Sequence, residues 1–147
     1  MQYLLDRPEL KQNREKIFDQ IINQKLTYNT MSNSNFFYKI NKRLLLFPYI
    51  EQFLDSNSLI FKFNKNVNPT SKMKAKYIME NTICDEIAYI CIDKIENIDE
   101  YFCRSFFPKT EVDYTKGHTK YTLLYKEKIN IKTQENIIQY DKLTPKG

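Results

Sequence analysis

Glycine is nearly absent from this chain: there are two in 147 residues, and one of them is the last. Two glycines cannot build a phosphate-cradling loop, which excludes the Walker and Rossmann nucleotide sites. Tryptophan is missing altogether, so 11 tyrosines and 10 phenylalanines supply the aromatic packing. No run of about 18 apolar residues exists, and Leu44-Leu45-Leu46-Phe47 is too short to cross a membrane. The start of the chain has no basic stretch followed by an apolar block, the pattern of a secretory signal. The three cysteines, Cys84, Cys91 and Cys103, are odd in number and lack metal-ligand spacing. They are expected to be reduced, buried hydrophobes in a cytoplasmic protein. With a single histidine, no metal or other cofactor is expected. Neither the G-x-S-x-G elbow nor the H-E-x-x-H helix motif occurs.

What is present is charge, unevenly spread. Lysine outnumbers arginine 19 to 4, and the formal net charge is +5. Residues 58–80 carry 5 basic groups and 1 acidic, residues 81–103 carry 1 and 6, and residues 104–147 carry 9 and 5. A basic field favours polyanions such as RNA. The acidic block could equally face a basic protein partner.

The hydrophobic period changes along the chain. Asp6-Arg7-Pro8-Glu9 reads as a helix start, and Leu10, Ile17, Phe18, Ile21 and Ile22 share one helical face. Asn29 to Ser34 reads as a polar connection, with Ser34 an N-cap for a second helix through Phe37, Ile40, Leu44 and Phe47. Pro48 should break that helix and open a short one. From Ser58 onward strands are predicted: 58–64, 86–93, 101–107, 121–129 and a short one at 137–140. Ala75 to Met79 reads as strand or short helix. Helices first and strands after predict a single α+β domain, helical over 1–57 and sheet over 58–143, with a tail from 144.

The histidine and the inner glycine fall together in Asp113-Tyr114-Thr115-Lys116-Gly117-His118-Thr119-Lys120-Tyr121. Gly117 marks a turn. Metal-independent RNA cleavage needs a base for the 2′-hydroxyl, cations for the phosphorane charge and an acid for the leaving oxygen. His118 is a candidate base or acid, and Arg104, Lys116 and Lys120 are candidate cations. Tyr114 or Tyr121 could stack on a base or donate a proton. These groups would meet at one end of the sheet if strands 101–107 and 121–129 paired. Arg104 and Ser105, adjacent in a strand, should point to opposite faces unless a bulge intervenes. Arg43 is a candidate phosphate contact or an ion-pair partner. A solvated turn with scattered basic residues accounts for the same composition.

Longer segments carry a resemblance. Tyr101-Phe-Cys-Arg-Ser-Phe-Phe-Pro108, Asp113-Tyr-Thr-Lys-Gly117 and Tyr121-Thr-Leu-Leu-Tyr-Lys-Glu-Lys-Ile129 form one part. Leu4-Leu-Asp-Arg-Pro-Glu-Leu10, Ile17-Phe-Asp19, Lys25-Leu-Thr-Tyr28 and Phe36-Phe-Tyr-Lys-Ile40 with Arg43-Leu44 form the other. Together they resemble the fourth phage class of barnase–EndoU–colicin–RelE-like nucleases, found in prophages and mobile elements of Firmicutes. The resemblance implies N-terminal helices packed on an antiparallel sheet of about four strands, and a metal-independent RNase of the toxin type. It implies RNA as substrate and an antitoxin or other protein as partner. Ser105 matches its Ser-Phe-Phe strand, and Tyr114 and Lys116 match its Tyr-x-Lys turn, which makes them catalytic candidates; His118 lies beyond the matched positions. The family pattern also has a His-Leu-x-Gly segment before the first helix. This sequence begins Met1-Gln2-Tyr3-Leu4, without that histidine. The expectation is either a late start or a lost histidine; the latter would make the domain an inactive binding module.

Overall fold

The computed structural model describes residues 16–35, 37–67, 69, 71 and 73–145, the side chains from Asp19 onward. The helix start predicted at Asp6–Glu9 lies outside them, as do the side chains of Ile17 and Phe18. Two compact units divide the chain at Leu45 and Leu46.

In the first unit, α1 spans Lys16–Ile22. It ends where Gln24 takes φ 56° and the Lys25 amide returns to the Gln20 carbonyl at 2.8 Å. The predicted connection at 29–34 is in part a helix, α2, spanning Tyr28–Ser32. Thr27 caps it: its hydroxyl accepts from the Thr30 amide, and the Thr30 hydroxyl accepts from the Thr27 amide. This reciprocal threonine box starts a helix that composition alone would not favour. The Tyr28 ring stands edge-on to Phe37 at 5.2 Å, and its hydroxyl donates to Asn41 Oδ1 at 2.9 Å. Leu26 and Ile40 are buried. The predicted second helix is broken into a 3-10 turn at Phe37–Lys39, α3 at Asn41–Leu46 and a 3-10 turn at Phe47–Tyr49 that holds Pro48.

The second unit is built on an antiparallel sheet of five strands, which with the helices makes the fold α+β. The strands are β1 Leu59–Lys62, β2 Tyr77–Ile83, β3 Glu86–Lys94, β4 Tyr101–Pro108 and β5 Thr119–Tyr121. Their order across the sheet is β4-β3-β2-β1-β5. Cys84 and Asp85, both at positive φ, make the tight β2–β3 turn. One face carries Met79, Ile83, Ala88, Ile90 and Phe106, which bury Phe53 of α4, the helix spanning Ile50–Asp55. Phe53 is fully buried, edge-on to Phe106 at 6.1 Å.

The predicted strand 121–129 is two strands in two sheets. β5 ends at Tyr121, and β6, Tyr125–Ile129, pairs with β7, Asn136–Asp141, as a separate hairpin. Polar contacts tie that hairpin to α4: Lys128 meets Glu51 at 2.7 Å and Asp55 at 2.9 Å, and Lys126 donates to the Leu54 and Ser56 carbonyls. Strands 101–107 and 121–129 therefore do not pair; β4 and β5 occupy opposite edges of the five-stranded sheet. Ten residues, 109–118, must carry the chain from one edge to the other. Four interstrand steps amount to roughly 19 Å, within the reach of ten residues. The segment crosses the sheet face opposite α4.

Cys91 is buried, but Cys84 and Cys103 are exposed, and all three thiols are free. The expectation of burial fails for Cys84, which sits in the β2–β3 turn, and for Cys103, which sits on the edge strand beside a bulge. Burial pushes the Cys91 thiol up, away from the reactive thiolate. A thiol reagent should modify Cys84 and Cys103 in the native protein and Cys91 only on unfolding; native labelling of Cys91 at a comparable rate would contradict the packing.

Candidate functional site

The crossing segment touches the strands in spatial order. The Lys109 amide donates to the Ile87 carbonyl of β3 at 2.7 Å. Tyr114 packs edge-on to Tyr89 of β3 at 5.8 Å and to Phe107 of β4 at 5.3 Å. The Thr115 hydroxyl lies 3.3 Å from Glu80 of β2. His118 reaches the end of β1, where its ring lies 5.1 Å from Phe63 and its Nδ1 accepts from the Asn64 amide at 3.1 Å.

Asp113 fixes the bend. Its Oδ1 accepts from the Thr115 amide at 2.9 Å and the Thr115 hydroxyl at 2.7 Å, and its Oδ2 meets the Lys109 ammonium at 3.0 Å. An acid bonding the amide two residues on is an Asx turn. These bonds, Thr115 first, hold the Asp113 carboxyl far below the usual carboxylate range. Tyr89 lies beneath, fully buried, and desolvation pushes its phenol up to about 12.

The result is a cleft of about 390 Å³ lined by Phe63, Val67, Ser71, Asp113, Tyr114, Lys116, Gly117 and His118. Gly117 takes φ +79°, and a Cβ there would lie 2.9 Å from Val67 Cγ1. Gly117→Ala should cost about 1–2 kcal/mol from left-handed strain plus this contact. A denaturant midpoint equal to wild type would refute that account of the turn.

Three sequence candidates, Tyr114, Lys116 and His118, meet in this cleft. Lys120 follows on β5, paired with Phe61, on the same sheet face. Tyr121 points to the opposite face, where its ring lies 5.9 Å from Tyr77. Arg104 and Ser105 are not among the cleft-lining residues. A bulge does intervene between them: Cys91 opposes Ser105, Ile92 opposes Cys103, and Arg104 is left unopposed. Both therefore turn toward the crossed face. There Arg104 binds Asp93 at 2.7 Å and covers Phe102, while Ser105 neighbours the Cys91 thiol. Arg43 lies on α3, whose residues to Leu45 belong to the first unit.

Sequence reasoning missed the second wall of the cleft. Phe63, Asn64, Val67 and Ser71 come from a loop without motif character, and the Asn64 contribution is a backbone amide, invisible in side-chain patterns. Asp113 had a signal: the Asp-x-Thr spacing of an Asx turn.

A small α+β domain with an aromatic cleft between the crossing segment and the loop after β1 is the class these features define. The family model described as phage-Barnase-EndoU-ColicinE5/D-RelE like nuclease4 matches residues 3–143. The chain belongs to this nuclease-like family. No curated protein and no solved structure matches it.

Proposed function

We propose that this chain is a metal-independent ribonuclease-like toxin domain encoded by a prophage or mobile element. It acts in the cytoplasm on RNA held against the 109–118 segment. One observation carries this: the family's Tyr-x-Lys positions, Tyr114 and Lys116, stand with His118 around one cleft. Lys116 supplies charge for a phosphodiester, and Tyr114 and Ser71 supply hydroxyl donors. The proposal includes the barnase/RelE-like arrangement with N-terminal helices on the sheet, and an antitoxin-type protein partner.

A second reading is favoured by a specific observation. Asp113, a carboxylate in the cleft, is already bonded to Lys109 and Thr115 and is a poor proton acceptor. A cleft rich in donors and poor in bases suits a module that binds RNA without cutting it.

Total RNA incubated with the protein in EDTA separates the two. The enzyme reading expects cleavage by wild type that Lys116→Ala and His118→Ala lose while folding is retained. Ser105→Ala should keep cleavage if the cleft alone is the site; its loss would extend the site along β4. Binding that weakens with salt, without cleavage, supports the module. Neither cleavage nor binding sinks both.

A further inference from the structure

We infer that His118 works in this cleft as a neutral hydrogen-bond donor through Nε2–H, directed at a phosphate oxygen of the nucleic-acid backbone, and not as a proton-accepting base. The inference rests on the cleft being a phosphodiester site.

The geometry begins at the other ring nitrogen. Nδ1 accepts the Asn64 amide at 3.1 Å. An accepting nitrogen presents a lone pair, so it carries no proton, and a neutral imidazole must then hold its proton on Nε2. A base at Nε2 would need the opposite tautomer. An imidazolium would set an Nδ1 proton against the Asn64 proton, two donors face to face.

The amide is not free to turn away. The Asn64 side chain accepts from the Asn66 amide at 3.0 Å, and the Asn64 carbonyl accepts from the Val67 amide at 3.1 Å. The ring is half-buried beside Phe63, tilted 41° to it. Its charged and titratable neighbours in the cleft are Lys116, Asp113 and Tyr114. Asp113, the one carboxylate among the described residues lining the cleft, is already bonded by Lys109 and Thr115. The opposite wall contributes Phe63, Val67 and Ser71, which hold no charge. Fixed by a backbone amide, the imidazole presents one directed donor beside one ammonium. That pair suits a phosphodiester carrying a single negative charge.

Two measurements test this. Nitrogen-15 spectra of the wild-type imidazole at pH 8 should show the proton on Nε2; a proton on Nδ1 overturns the inference, whatever the protein binds. The second is affinity for a short 2′-O-methyl RNA, which cannot be cleaved through its 2′-oxygen. A Gln amide can replace the Nε2–H donor but not imidazole proton transfer. His118→Gln should stay within about threefold of wild type, while His118→Ala should weaken binding about tenfold or more, the size of one bond to a charged acceptor. Equal losses in both variants overturn the inference. If wild type binds no RNA at all, the proposed function fails, while the tautomer spectrum still decides the state of His118.

Discussion

Replacing Phe53 by alanine should cost the sheet unit about 3–5 kcal/mol, the largest single effect expected in this chain. The side chain is fully buried and fills the space between α4 and Met79, Ile83, Ala88, Ile90 and Phe106. Truncation removes the apolar burial and the edge-on contact with Phe106, and it leaves a cavity between a helix and a sheet that cannot both close on it. With a urea dependence of about 2 kcal/mol per molar, the midpoint should fall by about 2 M. Circular dichroism is the suitable probe, because the chain has no tryptophan. A shift below about 0.5 M would mean that α4 is not what seals this face.

Asp113→Ala should damage both the stability of the cleft and its binding. It leaves the buried Thr115 without its main acceptor and removes the Lys109 ion pair. About 1–2 kcal/mol of stability should go, at the low end for bonds to a charged group because Asp113 is partly exposed. On the proposed function, RNA affinity should fall at least tenfold, since the bend that gathers Tyr114, Lys116 and His118 loses its anchor. The same bonds set a pH dependence. The Asp113 carboxyl is held below its unfolded value, so its stabilisation is complete above the ordinary carboxylate range, near pH 4. It is lost as pH falls through the lower folded value. Asp113→Asn should therefore flatten the acid limb of a stability-versus-pH curve. An acid limb identical to wild type would show that the bonds to Thr115 and Lys109 do not hold the turn in solution.

Much of this was legible beforehand, and the gaps have physical causes. The change of period near Ser58 marked where the sheet begins, and Glu86–Asp93 was found almost to the residue. Gly117 pointed to the turn because positive φ leaves few alternatives. The break between Tyr121 and Tyr125 is not legible, because Thr122-Leu123-Leu124 holds no glycine or proline to mark a stop where the chain changes sheets. Edge-to-edge placement of β4 and β5 is a property of strand order, which no local pattern encodes. The Arg104 bulge adds one residue to one strand and leaves no mark in composition. Ser105 rests on a match to a family strand, and Tyr114 on a match to a family turn; only the turn leads into the cleft.

The 109–118 segment also bears on the order of folding. It can lie across the sheet only after β4 and β5 occupy their opposite edges, so its contacts with β3, β2 and β1 are among the last made. Interactions formed after the rate-limiting step govern how fast a protein comes apart rather than how fast it assembles. In Asp113→Asn, the unfolding arm of a chevron should rise while the refolding arm stays in place. A nascent chain would then lack its cleft until β5 had been synthesised and docked, and any activity housed there would switch on late, with completion of the sheet.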